Sequence, residues 1–168
     1  MKKHLGKIIA LLIVISIAIA FSVRFYINRE NTKEIVVLPH INLQSIDSTF
    51  FSLPKCHNAS KTLVILFFHP NCEICQFEVE ELLKSANILQ EIQFVFVTLA
   101  NSEEVKSFLQ KNPIEEKLDA RVGIDYKAEF VTKFTPKTAP HIYIYDKNKH
   151  LKKHTNALIK PSVLAKFK

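Results

Sequence analysis

The sequence predicts an α/β fold with parallel strands at its centre, and three stretches carry that prediction. Leu63-Val64-Ile65-Leu66-Phe67-Phe68 and Ile92-Gln93-Phe94-Val95-Phe96-Val97-Thr98 are short runs rich in β-branched and aromatic residues, the pattern of buried strands. Between them Cys75, Val79, Leu82, Leu83, Ala86 and Leu89 recur at helical spacing, which predicts a helix from about Cys72 to Gln90. A strand–helix–strand unit pairs its strands in parallel through a right-handed crossover. Near the end of the chain, His141-Ile142-Tyr143-Ile144-Tyr145, a turn at Asp146-Lys147-Asn148-Lys149 and His150 to Thr155 read as an antiparallel hairpin.

The 168 residues leave room for one domain beyond the first thirty positions. Met1 to Lys7 is a basic leader, and Ile8 to Ile27 is apolar apart from Ser16, Ser22 and Arg24. Two readings of 1–27 stand. A cleaved signal peptide would use Ala18-Ile19-Ala20 as its small-residue site. An uncleaved membrane anchor has enough length if Arg24 snorkels to the interface. The chain stays apolar past Ala20, at Phe21 and Val23, which favours the anchor. Either reading exports the rest of the chain, with the basic leader left in the cytoplasm. The expected location is thus the extracytoplasmic side of the cell envelope, with secretion after cleavage as the alternative.

Residues 28–34 are polar and read as a linker, followed by one domain over 35–168. Ile35 to Leu38 and Ile41 to Leu43 look extended, and Asp47-Ser48 turns the chain into Thr49 to Leu53, giving an N-terminal hairpin. Pro54 to Lys61 is expected to be a loop holding Cys56 and His57. After the central unit, Ser102-Glu103-Glu104 is expected to cap a helix over Val105 to Lys111. Ala120 to Ile124 reads as a short strand, Asp125 as the cap of a helix over Tyr126 to Phe134, and Pro161 as the first turn of a last helix ending near Phe167.

The composition excludes several functions. Only Gly6 and Gly123 are glycines, so no phosphate-cradling loop is available. Of the net charge of +7, residues 1–34 supply six Lys/Arg against two Glu, leaving 17 against 14 for the rest. Lys147, Lys149, Lys152, Lys153, Lys160, Lys166 and Lys168 make the tail basic, without the aromatic interleaving of a nucleic-acid surface; they read as a solvated face.

Cys72-Glu73-Ile74-Cys75 stands where the first central strand, after the turn His69-Pro70-Asn71, passes into the helix. A helix N-terminus offers unpaired N–H groups and partial positive charge, which stabilise a thiolate. A second cysteine one turn in can attack a mixed disulfide formed by the first. A zinc site would need about four ligands, and the sequence has no second C-x-x-C.

This order of elements resembles the thioredoxin fold, and within it the exported or membrane-tethered thiol–disulfide oxidoreductases of the TlpA/ResA-like group. The resemblance spans about Ile35 to Lys168 and is most specific over Phe67 to Glu78 and Thr138-Ala139-Pro140-His141. It implies a thioredoxin fold with an N-terminal β-hairpin and an inserted helix. It implies an enzyme that exchanges disulfides with protein partners, fed by a membrane redox donor, with no cofactor. Cys72 matches the nucleophile, Cys75 the resolving cysteine, and Pro140 a cis-proline that faces the disulfide and helps position an extended partner. Glu78 matches a glutamate that, if partly buried, would exchange a proton with Cys75.

The sequence departs from thioredoxin in three places. Asn71 stands where a tryptophan is common, Leu66 where cytosolic thioredoxins have a buried Asp, and Glu73 between the cysteines where thioredoxin has Gly. A carboxylate there disfavours the neighbouring thiolate and goes with a more reducing couple, which favours a reductase. An alternative is a copper-binding assembly factor using Cys72, Cys75 and His69 or His141, since thiolates select Cu(I). The C-x-x-C spacing counts against it, because copper-handling relatives usually show C-x-x-x-C. A peroxiredoxin would need Thr or Ser where His69 stands. His69 and His141 are expected near the cysteines as surface or turn residues, and Cys56 as a free, partly buried thiol.

Overall fold

The computed structural model describes Lys7, residues 11–24 and residues 35–168. The chain divides into two compact units, Met1–Glu34 and Ile35–Lys168. In the first, residues 11–24 are helical, and the Ser16 hydroxyl donates to the Ile13 carbonyl at 2.8 Å. Among the described residues no helix is long and apolar enough to cross a membrane. The expected span also covers 8–10 and 25–27, and the expected linker is 28–34; these lie outside the described residues.

In the second unit seven strands form one sheet: β1 (Asn42–Gln44), β2 (Phe50–Ser52), β3 (Thr62–Phe67), β4 (Ile92–Thr98), β5 (Ala120–Ile124), β6 (His141–Tyr145) and β7 (Leu151–Thr155). Their spatial order is β2-β1-β5-β4-β3-β6-β7. β3, β4 and β5 run parallel, and β6 is antiparallel to β3 with Phe67 opposite His141. That register puts the carboxyl end of β3 beside the amino end of β6, so whatever follows Phe67 meets whatever precedes His141. β1 and β2 form the predicted hairpin, attached to β5 at Gln44 and Ile124. The attachment needs Gly123: a Cβ there would lie 2.8 Å from Leu43 Cβ and 2.9 Å from the Phe51 ring.

The helices are α1 (Leu53–Cys56), α2 (Glu73–Lys84), α3 (Ser102–Lys111), α4 (Ile114–Lys117), α5 (Glu129–Phe134) and α6 (Pro161–Leu164), with 3-10 turns at Ala86–Ile88 and Ala165–Phe167. The central strands alternate between two buried layers. Val64, Leu66, Phe94 and Phe96 pack with Cys75, Val79 and Leu82 of α2. Leu63, Ile65, Val95 and Val97 pack with Phe130 and Phe134 of α5 and with Tyr143 and Tyr145. Burial on both faces explains why these strands read as unbroken apolar runs.

Local chemistry shifts several expected boundaries. α2 ends at Lys84 rather than Gln90, because Ser85 leaves the helical region at φ −107°, ψ 16° and its N–H turns back to the Leu82 carbonyl. α3 starts at Ser102, not Val105, since Asn101 is its cap: the Asn101 side chain accepts from the Glu104 N–H, and the Glu104 carboxylate accepts from the Asn101 N–H. α5 starts at Glu129 rather than Tyr126, because Ala128 adopts the left-handed conformation at φ 56°. Asp125 instead reaches past the turn and accepts from the Val131 N–H at 3.0 Å. The expected loop after Leu53 opens with α1, where Pro54 fits the first turn.

Candidate active site

Cys72 is the N-cap of α2, in extended backbone at φ −89°, ψ 112°. Its Sγ accepts the Cys75 N–H at 3.3 Å, the place a serine or aspartate oxygen takes in an ordinary cap. The same sulfur lies 3.6 Å from the Ala139 carbonyl, to which the thiol donates. The Ala139-Pro140 peptide is cis. This contact follows from the β3/β6 register, which brings the segment before His141 against the turn after Phe67. Cys72 and Cys75 are both free thiols.

The second sulfur has a different environment. Cys75 is fully buried against the α2 face of the sheet. Burial pushes its thiol up to about 12, with the Cys72 hydrogen bond and the charges of Cys72 and Glu78 adding in the same direction. Glu78, three residues on and so on the same side of α2, is 3% exposed. Burial pushes its carboxyl up to about 7, with Glu81 adding slightly; the Ile159 N–H, which donates to Oε1 at 3.3 Å, holds it down in part. A cleft of about 280 Å³ between Phe77, Leu158, Ile159 and Pro161 borders this carboxylate. The two cysteines thus differ in access, and the buried one has a carboxyl group beside it that changes charge near neutral pH.

Solved structures share this architecture. A secreted Mycobacterium tuberculosis disulfide oxidoreductase homologous to Escherichia coli DsbE superposes with TM-score 0.63 and 17% identity, covering 80% of this chain and 95% of that one. StoA from Bacillus subtilis superposes with TM-score 0.59 and 18% identity, over 79% and 98% of the two chains. The thioredoxin domain of a thiol-disulfide oxidoreductase from Bacteroides vulgatus gives TM-score 0.63 and 16% identity, over 79% and 96%. The chain has a thioredoxin fold. No protein-family model and no curated protein matches the sequence.

Within the thioredoxin fold, the sites expected from the sequence separate into two groups. Cys72, Cys75, Pro140 and Glu78 gather at the carboxyl end of β3 and along one side of α2. His141 does not join them. It is buried on β6, stacks on Tyr143 with ring centroids 4.6 Å apart, and so faces the α5 layer, away from Cys75. The strand begins at His141 as expected, but the expectation of a surface or turn histidine is corrected, because the side chain is buried. Its Nδ1 accepts the Lys137 N–H at 3.3 Å, so its Nε2–H donates to His154 Nδ1 at 3.3 Å. Burial, then the charges of His154 and Lys137, pull its pKa down to about 4, and the ring is neutral at physiological pH. His69 is exposed and its Nδ1 accepts the Asn71 N–H. Among the described residues no group of three or more His, Cys, Asp or Glu could hold a metal ion. Among the described residues neither His69 nor His141 joins the two cysteines as a third ligand for the copper reading.

Three contributors escaped the sequence reading. Gln76 Nε2 donates to the Pro70 carbonyl at 2.7 Å and supports the turn before Cys72 from the α2 side. Asn71 Nδ2 donates to Glu104 Oε1 at 2.9 Å and ties the same turn to α3. The spacing Asn101-x-x-Glu104 was the available signal for the second, as a capping box. Cys56 is partly buried, its thiol donating to the Leu53 carbonyl at 3.3 Å, remote in the fold from α2.

Proposed function

We propose that the chain is an exported thiol–disulfide oxidoreductase, tethered through residues 8–27, that reduces disulfides of protein partners and is itself re-reduced by a membrane redox donor. The observation that carries the reading is the dithiol at the start of α2, with Cys72 Sγ held between the Cys75 N–H and the carbonyl of the cis Ala139-Pro140 peptide. The Mycobacterium tuberculosis neighbour is a secreted disulfide oxidoreductase and the Bacteroides vulgatus neighbour the thioredoxin domain of a thiol-disulfide oxidoreductase, which supports this reading.

The Cys72 thiolate attacks one sulfur of a partner disulfide. A Cys72–partner bond forms, and the partner's other sulfur leaves as a thiolate. Cys75 then gives its proton to the Glu78 carboxylate, and its thiolate attacks Cys72 Sγ. The Cys72–Cys75 disulfide forms, the partner's remaining sulfur leaves, and protons return the partner to a dithiol. Two electrons have passed from this protein to the partner. Pro140 flanks the sulfur so that an extended partner segment can lie along it, and the exposed side chain of Ile74 offers apolar contact beside the attacking atom.

The reducing direction draws support from Glu73, exposed between the cysteines, and from the buried Cys75, whose thiol is hard to ionise. Both weaken the stabilisation of the dithiol's anionic form that makes a strong oxidant. Equilibration of the full chain in detergent with glutathione measures this directly. A potential near about −270 mV is expected, and one near about −120 mV would reverse the assigned direction. Failure to reduce a protein disulfide such as that of insulin would overturn the activity itself.

A further inference from the structure

The turn His69-Pro70-Asn71 sets where Cys72 sits, and while Pro70 is buried, His69 and Asn71 on either side of it are exposed. Internally it is closed by the Cys72 N–H, which donates to the His69 carbonyl at 3.0 Å. Two side chains reach it from helices. Gln76 holds Pro70 from α2. Glu104 holds Asn71 from α3, a helix that begins after the neighbouring strand β4.

Glu104 is not a loose surface acid. Its Oε2 accepts the Asn101 N–H at 3.3 Å, and its own N–H donates to Asn101 Oδ1 at 3.0 Å. With Oε2 committed to the cap, Oε1 points at a fixed place, and Asn71 Nδ2 meets it there at 2.9 Å. A capping box normally serves only its own helix. Here the same carboxylate also fastens the residue immediately before the attacking cysteine.

We propose that Asn71 and Glu104 form a latch that positions Cys72 for disulfide closure with Cys75. The inference rests on the redox reading above and assigns both residues a positioning role. A hydrogen bond to a carboxylate is stronger than a neutral one, and it fixes the turn on the side that Gln76 leaves free. Holding the turn raises the effective concentration of one sulfur at the other, which is what an intramolecular disulfide needs.

The measurement is the equilibrium constant for forming the Cys72–Cys75 disulfide from glutathione disulfide, in full chain held in detergent. Asn71→Ala removes the donor and should lower the constant about three- to tenfold, the net range of one solvent-exposed hydrogen bond. Asn71→Asp sets two carboxylates face to face and should also lower it. Asn71→Asp combined with Glu104→Gln restores the bond with donor and acceptor exchanged, while Gln can still close the capping box; the constant should return to within about twofold of the wild type. Added charge alone would act the other way, because a carboxylate near Cys72 disfavours its thiolate and stabilises the disulfide. The latch is overturned if Asn71→Ala leaves the constant unchanged, or if Asn71→Asp alone matches the double variant. Insulin reduction is scored separately: a wild type inactive there, with the glutathione pattern intact, sinks the assigned activity and leaves the latch standing.

Discussion

Replacing Cys75 by serine should leave the protein covalently joined to its partners through Cys72. The partly buried Cys72 sulfur, more accessible than that of Cys75, keeps its place as the cap of α2, so the first attack still occurs. The second attack loses its nucleophile, and release must wait for an external thiol. Intramolecular attack in well-oriented systems reaches effective concentrations of about 10⁵ M, so with millimolar external thiol the release step should slow by up to about 10⁸-fold. Cys72→Ala should abolish both attack and trapping. Non-reducing electrophoresis of C75S with a disulfide-bearing partner, followed by mass spectrometry, reads the result. A conjugate on Cys72 is expected. A conjugate on Cys56, the third free thiol, or undiminished turnover would contradict the assigned roles.

Glu78→Gln should produce the second large effect, and it has two separable signatures. The wild-type carboxyl is raised from 4.5 to about 7, mainly by burial. Below pH 4.5 it is protonated in both folded and unfolded chains and costs nothing. Between about 4.5 and 7 the folded chain binds more protons than the unfolded one, so stability falls as pH rises. Above about 7 the whole penalty is present, on the order of 3 kcal/mol for a shift of this size. The glutamine variant should therefore gain on the wild type across that window, with no gain at pH 4. Denaturant unfolding at a series of pH values checks the sign.

Catalysis should move the opposite way. Without a carboxylate to receive the Cys75 proton, resolution of the mixed disulfide should slow by about 10²-fold, the scale of a lost general base. Rapid mixing with a model disulfide, quenched by acid, would show the mixed species accumulating. A variant that is both unaltered in its stability profile and fast in resolution would remove Glu78 from the site.

Much of this site could be read from residues alone, because it is local. The central strands advertise themselves through unbroken burial, and Cys72-Glu73-Ile74-Cys75 announces a helix start through its position between Pro70 and the apolar rhythm of Val79 and Leu82. Glu78 was legible as a helix neighbour of Cys75. Its 3% exposure was not, since that depends on Ile159, 81 residues away, closing over it. His141 shows the complementary failure. Its place one residue after Pro140 put it near the cysteines in sequence logic, but the side of the sheet a strand residue faces follows from register, and pairing with Phe67 turns it to the α5 layer. Asn71 and Glu104 meet only because two crossover turns lie side by side, which no spacing in the chain encodes.

The layering of the sheet also decides what this protein's own light emission can report. The chain has no tryptophan, so its ultraviolet fluorescence comes from four tyrosines. Tyr143 and Tyr145 are fully buried, their hydroxyls donating to the Phe134 and Ile35 carbonyls, in the layer on the far side of the sheet from Cys75. Tyr126 is exposed beside Phe50 at the β2 edge. The fluorophores that sense unfolding are thus screened by the sheet from the sulfur chemistry. Emission can follow denaturation of this protein, whereas its oxidation state has to be read by thiol labelling or mass.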